Sequence, residues 1–171
     1  LEGPDSSYHY TVPLDPESPW PKFRRTARQD GRSPVKPEDG GEFWIFPTGK
    51  GIFSTPVVGG DGTIYIGSAD RTFYAIWPDG RERWTVLTGE IIDSSAILDD
   101  QGRIFFGSGD GHYYARWADT GEEIWTVEAD DPSVNGAFIN WFEGNSALSP
   151  EGDLIVPNDN FFVYALDRDS G

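Results

Sequence analysis

An all-β fold, a β-propeller of four-stranded antiparallel blades, is what this 171-residue sequence predicts, and three observations carry the prediction. Trp44, Trp84 and Trp125 recur at intervals of 40 and 41 residues. Ile64-Tyr65-Ile66-Gly67-Ser68 returns as Ile104-Phe105-Phe106-Gly107-Ser108, and Tyr74-Ala75 returns as Tyr114-Ala115 and Tyr164-Ala165. Glycine (21), proline (13) and aromatics (15%) are all abundant, which suits short strands joined by tight turns better than long helices. A repeat of this length holding four short strands implies radially stacked blades.

Taken in order, residues 1–19 are polar and Pro-rich and read as an extended arm. Residues 20–41 form a lead-in, with Trp20 and Phe23 as anchors. Its Arg24, Arg25, Arg28 and Arg32 either pair with this acidic propeller's own surface or grip an acidic partner. Residues 42–47 match a lone fourth strand, D. The first blade spans 52–88. Its strand A is Ser54 to Val58, and Gly60-Asp61-Gly62 turns the chain because glycine tolerates positive φ. Thr63 to Gly67, Thr72 to Trp77 and Arg83 to Leu87 complete it. The second blade, 92–128, repeats this with Ser94 to Leu98, Arg103 to Gly107, His112 to Trp117 and Ile124 to Val127. An insertion over 130–144 precedes a partial blade, 145–171, with strands Ser146 to Leu148, Asp153 to Val156 and Phe161 to Leu166. The tally is D, ABCD, ABCD, ABC: three blades' worth of strands in permuted form, an incomplete ring.

One blade cannot hide both faces, so neighbours stack on it. Trp44, Trp84 and Trp125 suit that docking: each ring is large and flat, and its N–H can reach a backbone carbonyl. Ala75, Ala115 and Ala165 leave room for such a ring. These residues carry a family resemblance. Ala115, Thr120, Gly121 and Trp125 match the docking pattern Ala-x-Asp-x-x-Thr-Gly-x-x-x-Trp of pyrroloquinoline-quinone-type, or quinoprotein-like, propellers, with Trp117 standing where Asp is usual. Ala75, Gly80 and Trp84 match with one residue fewer in the turn, and Ala165, Asp167 and Gly171 match up to residue 171. The lead-in Trp20-Pro21-Lys22-Phe23-Arg24-Arg25 resembles that of bacterial members, and the chain looks close to non-enzymatic ones.

With 13 Lys and Arg against 29 Asp and Glu, the net charge is −16, which repels nucleic acid and anionic lipid. No apolar run is long enough to span a membrane. Cysteine is absent, which removes disulfides and thiolate sites. A start at Leu1 without methionine points to a trimmed or excised product, and on that ground an extracytoplasmic setting is expected: periplasmic, cell-envelope or secreted.

Asp70, Asp110 and Asp159 fall in the B–C turns. They form either a hard-cation site or, as their repetition favours, caps for turn N–H groups. The insertion carries Phe138, Ile139, Trp141 and Phe142, expected either to contact a partner or to pack down as a satellite core. His112, at a strand start, reads as a hydrogen-bonding residue. No Ser/His/Asp constellation or phosphate-cradling loop is visible. The expectation is a non-catalytic scaffold or structural subunit with no cofactor, the N-terminal part of a larger propeller. A second protein chain would complete it, with a head-to-tail homodimer as the other solution. The alternative implied by the resemblance is a fragment of a quinone- and Ca²⁺-dependent dehydrogenase whose site lies elsewhere.

Overall fold

The computed structural model describes residues 12–26, 31 and 44–171. Among the described residues, eleven strands form three antiparallel sheets, each a simple meander. The first holds β1 (Val57–Val58), β2 (Ile64–Gly67), β3 (Thr72–Ile76) and β4 (Glu82–Leu87). The second holds β5 (Ile97–Leu98), β6 (Arg103–Gly107), β7 (His112–Trp117) and β8 (Glu123–Glu128). The third has only β9 (Ala147–Leu148), β10 (Leu154–Pro157) and β11 (Val163–Leu166). This 4/4/3 arrangement is an incomplete propeller. The register also repeats: Ala75 faces Trp84 and Ala115 faces Trp125, and each pair is followed by a bulge.

The inner strands are shorter than the sequence suggests. Ser54 Oγ donates to the Gly67 carbonyl (2.9 Å) and accepts from its N–H (3.2 Å), and Ser94 bridges Gly107 likewise (2.8 and 2.9 Å). A hydroxyl thus occupies the place of the next backbone pair and ends the ladder early. Residues 44–47, expected as a lone strand D, form no ladder because no C strand lies beside them among the described residues. Residues 42 and 43 lie outside the described residues.

Two cores fill the seams. Between the first and second sheets, Tyr65, Phe73, Ile92, Leu98, Ile104 and Phe106 are buried together, with Phe73 and Phe106 stacked at 3.9 Å. Between the second and third, Phe105, Tyr113, Trp125, Phe142, Leu154 and Val156 do the same. The middle sheet is therefore covered on both faces.

Residues 12–22 run along the free edges of the inner strands. Trp20 bridges Val58, Lys22 bridges Ile97 and Leu14 bridges Asp99. Such pairing protects edges that would otherwise invite another strand. Arg25 Nε donates to the Pro19 carbonyl, while Arg28 and Arg32 lie outside the described residues. Successive blades are also linked around the ring by side chains: Thr55 N–H donates to Ser95 Oγ (2.9 Å), and Ser95 N–H to Asn145 Oδ1 (3.1 Å).

Candidate functional site

The tryptophans occupy one repeated geometry. The indole N–H of Trp44 donates to the Pro78 carbonyl (2.9 Å), that of Trp84 to Ala118 (3.1 Å) and that of Trp125 to Arg168 (3.1 Å). Each ring lies over a glycine of the following turn. A Cβ at Gly80 would come within 2.7 Å of Trp44, one at Gly121 within 2.8 Å of Trp84, and one at Gly171 within 3.4 Å of Trp125. Gly80 and Gly121 also hold φ of 84° and 76°, a region that side chains disfavour. Ala75 and Ala115 are fully buried opposite the rings, whereas Ala165, with no fourth strand beside it, is exposed.

Asp70 and Asp110 are saturated by structural hydrogen bonds. Asp70 accepts from the N–H groups of Gly49 (2.6 Å) and Thr72 (2.9 Å) and from the Tyr74 hydroxyl (2.8 Å). Asp110 accepts from Gly89 (2.7 Å), His112 (3.0 Å) and Tyr114 (2.6 Å). Burial pushes the Asp70 carboxyl up, but the hydrogen bonds from Tyr74, Gly49 and Thr72 outweigh it and hold it below the usual range. The ring nitrogen Nδ1 of His112 lies 3.1 Å from the Asp110 carbonyl oxygen, a local contact.

Asp159 does not belong to this set, contrary to the sequence expectation of one such Asp per blade. The equivalent position in the third sheet is Asn160, four residues before Tyr164 as Asp70 is before Tyr74. Asn160 Nδ2 donates to the Tyr164 hydroxyl (2.7 Å) and to the Asp130 carbonyl (3.2 Å), and its Oδ1 accepts from Phe162 N–H (3.3 Å). The network persists, but its carboxylate has moved to Asp130, whose Oδ2 accepts a hydrogen bond from the Tyr164 hydroxyl (3.3 Å).

Asp159 instead acts electrostatically on Asp93 and Glu143, which occupy equivalent positions at the starts of successive inner segments. Burial raises the Asp93 carboxyl, and Asp159 adds to the effect. Burial, then Asp93 and Asp159, raises Glu143. Among the described residues, no group of three Asp, Glu, His or Cys is placed to hold a metal ion. With Asp70 and Asp110 already satisfied and no cysteine in the chain, these residues do not fit a quinone held through a divalent cation.

The insertion opens with a 3₁₀ turn, Pro132–Asn135, capped by Asp131, whose Oδ1 accepts from Ser133 N–H (2.8 Å). Its four candidate aromatic and aliphatic residues separate. Phe142 is fully buried (0%) against Tyr113 and Tyr164 and over Gly107, so it is a core residue and offers no contact surface. Trp141 is half-buried, its ring beside Gly109. Ile139 is 39% exposed and Phe138 98%. Sequence reasoning missed the exposed neighbours Val134, Phe161 and Phe162. It also missed a cleft of about 430 Å³ between the first two sheets, where Arg83 pairs with Asp61 (2.6 Å) and stacks on Trp77 (4.1 Å). Tyr65, at that cleft, is pushed up to about 12, chiefly by burial and then by Asp61.

Repeated four-stranded meanders stacked through tryptophan on glycine define a β-propeller of the quinoprotein-like class. The family model that matches, over residues 33–171, is that of outer membrane protein assembly factor BamB, and the chain belongs to this family. No curated protein matches the chain. Among solved structures, a quinohemoprotein alcohol dehydrogenase from Comamonas testosteroni is similar at a TM-score of 0.72 and 21% identity, covering 93% of this chain and 27% of that one. A quinohemoprotein alcohol dehydrogenase from Pseudomonas putida gives 0.74 and 21%, covering 91% and 26%. BamB from Moraxella catarrhalis gives 0.60 and 15%, covering 72% and 36%. The chain thus spans about a quarter to a third of the length of these structures, and at such identities the likeness is one of fold. No helix among the described residues is long and apolar enough to cross a membrane.

Proposed function

We propose that this chain is a non-catalytic propeller segment that serves as a protein-binding scaffold or structural subunit. One observation carries the reading: the insertion before the third sheet holds Val134 (75%) and Phe138 (98%) exposed, with Ile139 and Trp141 partly so. Apolar side chains gathered at the surface are association sites. A second protein chain, or a further segment, that also completes the propeller is the expected occupant. A second copy in head-to-tail contact is the other arrangement. Membership in the BamB family supports both the scaffold role and an extracytoplasmic location.

A second reading is favoured by the likeness to the alcohol dehydrogenases over more than nine-tenths of this chain. In it, the chain is the part of a quinone- and Ca²⁺-dependent enzyme that lies away from the cofactor, consistent with the poor fit of its acids to such a site. Native mass spectrometry of the purified protein separates these readings. A second, different chain bound at fixed stoichiometry is the expected result, and a particle of two identical chains would favour self-pairing. A monomer that neither recruits a chain nor self-associates would overturn the scaffold reading. Dye reduction with alcohols after adding quinone and Ca²⁺ would support the enzyme.

A further inference from the structure

The turn between β10 and β11 carries an exposed phenylalanine in a conformation that disfavours it. Phe161 has φ of 73° and is 73% exposed. The equivalent residues in the preceding blades are Arg71 (φ 74°) and Gly111 (φ 82°). At Gly111 a side chain would press on the Asn140 amide, which favours glycine there, but nothing comparable favours an aromatic at 161. A bulky residue held in left-handed backbone gains neither local ease nor burial, and such outliers gather at functional positions.

Phe161 is not alone. Asn135 Nδ2 donates to the Asn160 carbonyl (3.1 Å), joining the insertion to this turn. Val134 (75% exposed), next to Asn135, is thereby brought to the turn that carries Phe161 and Phe162 (40%), and Phe138 (98%) follows three residues after Asn135. The charges nearest them along the chain are of one sign. Between Arg116 and Arg168 the chain has eleven Asp and Glu and no Lys or Arg. Asp130, Asp131 and Asp159 immediately flank the two loops.

We infer that Phe161, Phe162, Val134 and Phe138 form a docking tip for a protein segment whose apolar residues alternate with Lys or Arg. This rests on the scaffold reading and names the partner's chemistry. The rings take the apolar side chains, and the surrounding carboxylates attract the cations and turn away acidic competitors. That field also opposes anionic membrane surfaces, so a protein segment is the better fit.

The test uses a labelled peptide alternating Lys and Leu, followed by fluorescence anisotropy, with equal-length peptides carrying Glu for Lys or Ser for Leu. The Lys–Leu peptide is expected to bind. Its affinity should fall by about tenfold in Phe161→Gly and again in Phe138→Ser, as for removal of aromatic anchors. Phe161→Gly should meanwhile melt about 2–4 °C higher, because glycine relieves the backbone strain. Weaker binding by a more stable variant would show a contact residue. Equal affinity for wild type and Phe161→Gly would overturn the inference in favour of diffuse charge attraction. Equal binding of the Glu–Leu peptide would overturn the partner chemistry while leaving the scaffold reading intact. Binding to phosphatidylcholine vesicles that depends on Phe161 would replace it with a lipid site. No peptide binding at all would also overturn it, and the native mass spectrum would still judge the scaffold reading separately.

Discussion

The second and third sheets come from the same repeat yet live in different environments. All five residues of β6 are buried, because Phe106 stacks on Phe73 of the first sheet while Phe105 packs near Trp125 toward the third. In β10 burial alternates: Leu154 and Val156 are fully buried, whereas Ile155 between them is half-buried. The strands themselves are equally regular. Local pattern thus specifies a blade, but only neighbours on both faces turn it into core.

Trp84→Ala should break the covered seam most severely. It removes the ring packed against Tyr65 and Phe73 and leaves the Ala118 carbonyl without its indole donor, at a cost of about 3–5 kcal/mol. Trp44→Ala, at a seam 40% open at that ring, should cost about 1 kcal/mol. Reversible chemical denaturation measures both, and a loss below about 1 kcal/mol for Trp84→Ala would contradict the docking role.

Gly121→Ala against Gly102→Ala sharpens the same point. Both glycines have φ of 76°, but a Cβ at Gly121 meets the Trp84 ring at 2.8 Å while one at Gly102 meets nothing within 4 Å. Gly102→Ala should therefore cost about 1 kcal/mol from backbone strain alone, and Gly121→Ala about 2–4 kcal/mol once steric conflict is added. Equal thermal shifts would mean that the indole yields freely.

Asn160→Asp probes the exchanged charge. It removes the amide donors to Tyr164 and Asp130 and sets a second carboxylate near the first, costing about 2–3 kcal/mol at neutral pH. The new carboxyl would have a raised folded-state value, so the penalty is present above that value and relieved as pH falls through it. Asp110→Asn should cost only about 1 kcal/mol, since the third sheet already runs the network with an amide. Melting curves at neutral and acid pH separate the two, and a pH-independent penalty for Asn160→Asp would exclude charge as its cause.

Much of this was legible beforehand. The period of the aromatics and glycines places every strand of the three sheets, because alternation and turn chemistry are local. The position of Asn160 was readable from its offset to Tyr164, but the aspartate one residue earlier drew attention to chemical type instead of register. Phe142 was legible in the same way: it follows the pattern of Ile92, which lies over Gly67 as Phe142 lies over Gly107. The bridges from residues 14, 20 and 22 had no such signal, since they are made by backbone and carry no side-chain signature. Nor did the backbone conformation at Phe161, since phenylalanine is not a residue that announces a positive φ.

The links from Thr55 to Ser95 and from Ser95 to Asn145 have a consequence for how such a protein changes over generations. Each joins a backbone N–H to whatever oxygen the next blade presents: a hydroxyl in one case, an amide in the other. No ladder crosses from blade to blade there. Duplicating or deleting a whole repeat therefore shifts no strand register, and a single suitable side chain reconnects the circle. Gene duplication can act on this architecture one module at a time, with each intermediate still stitched to its neighbours.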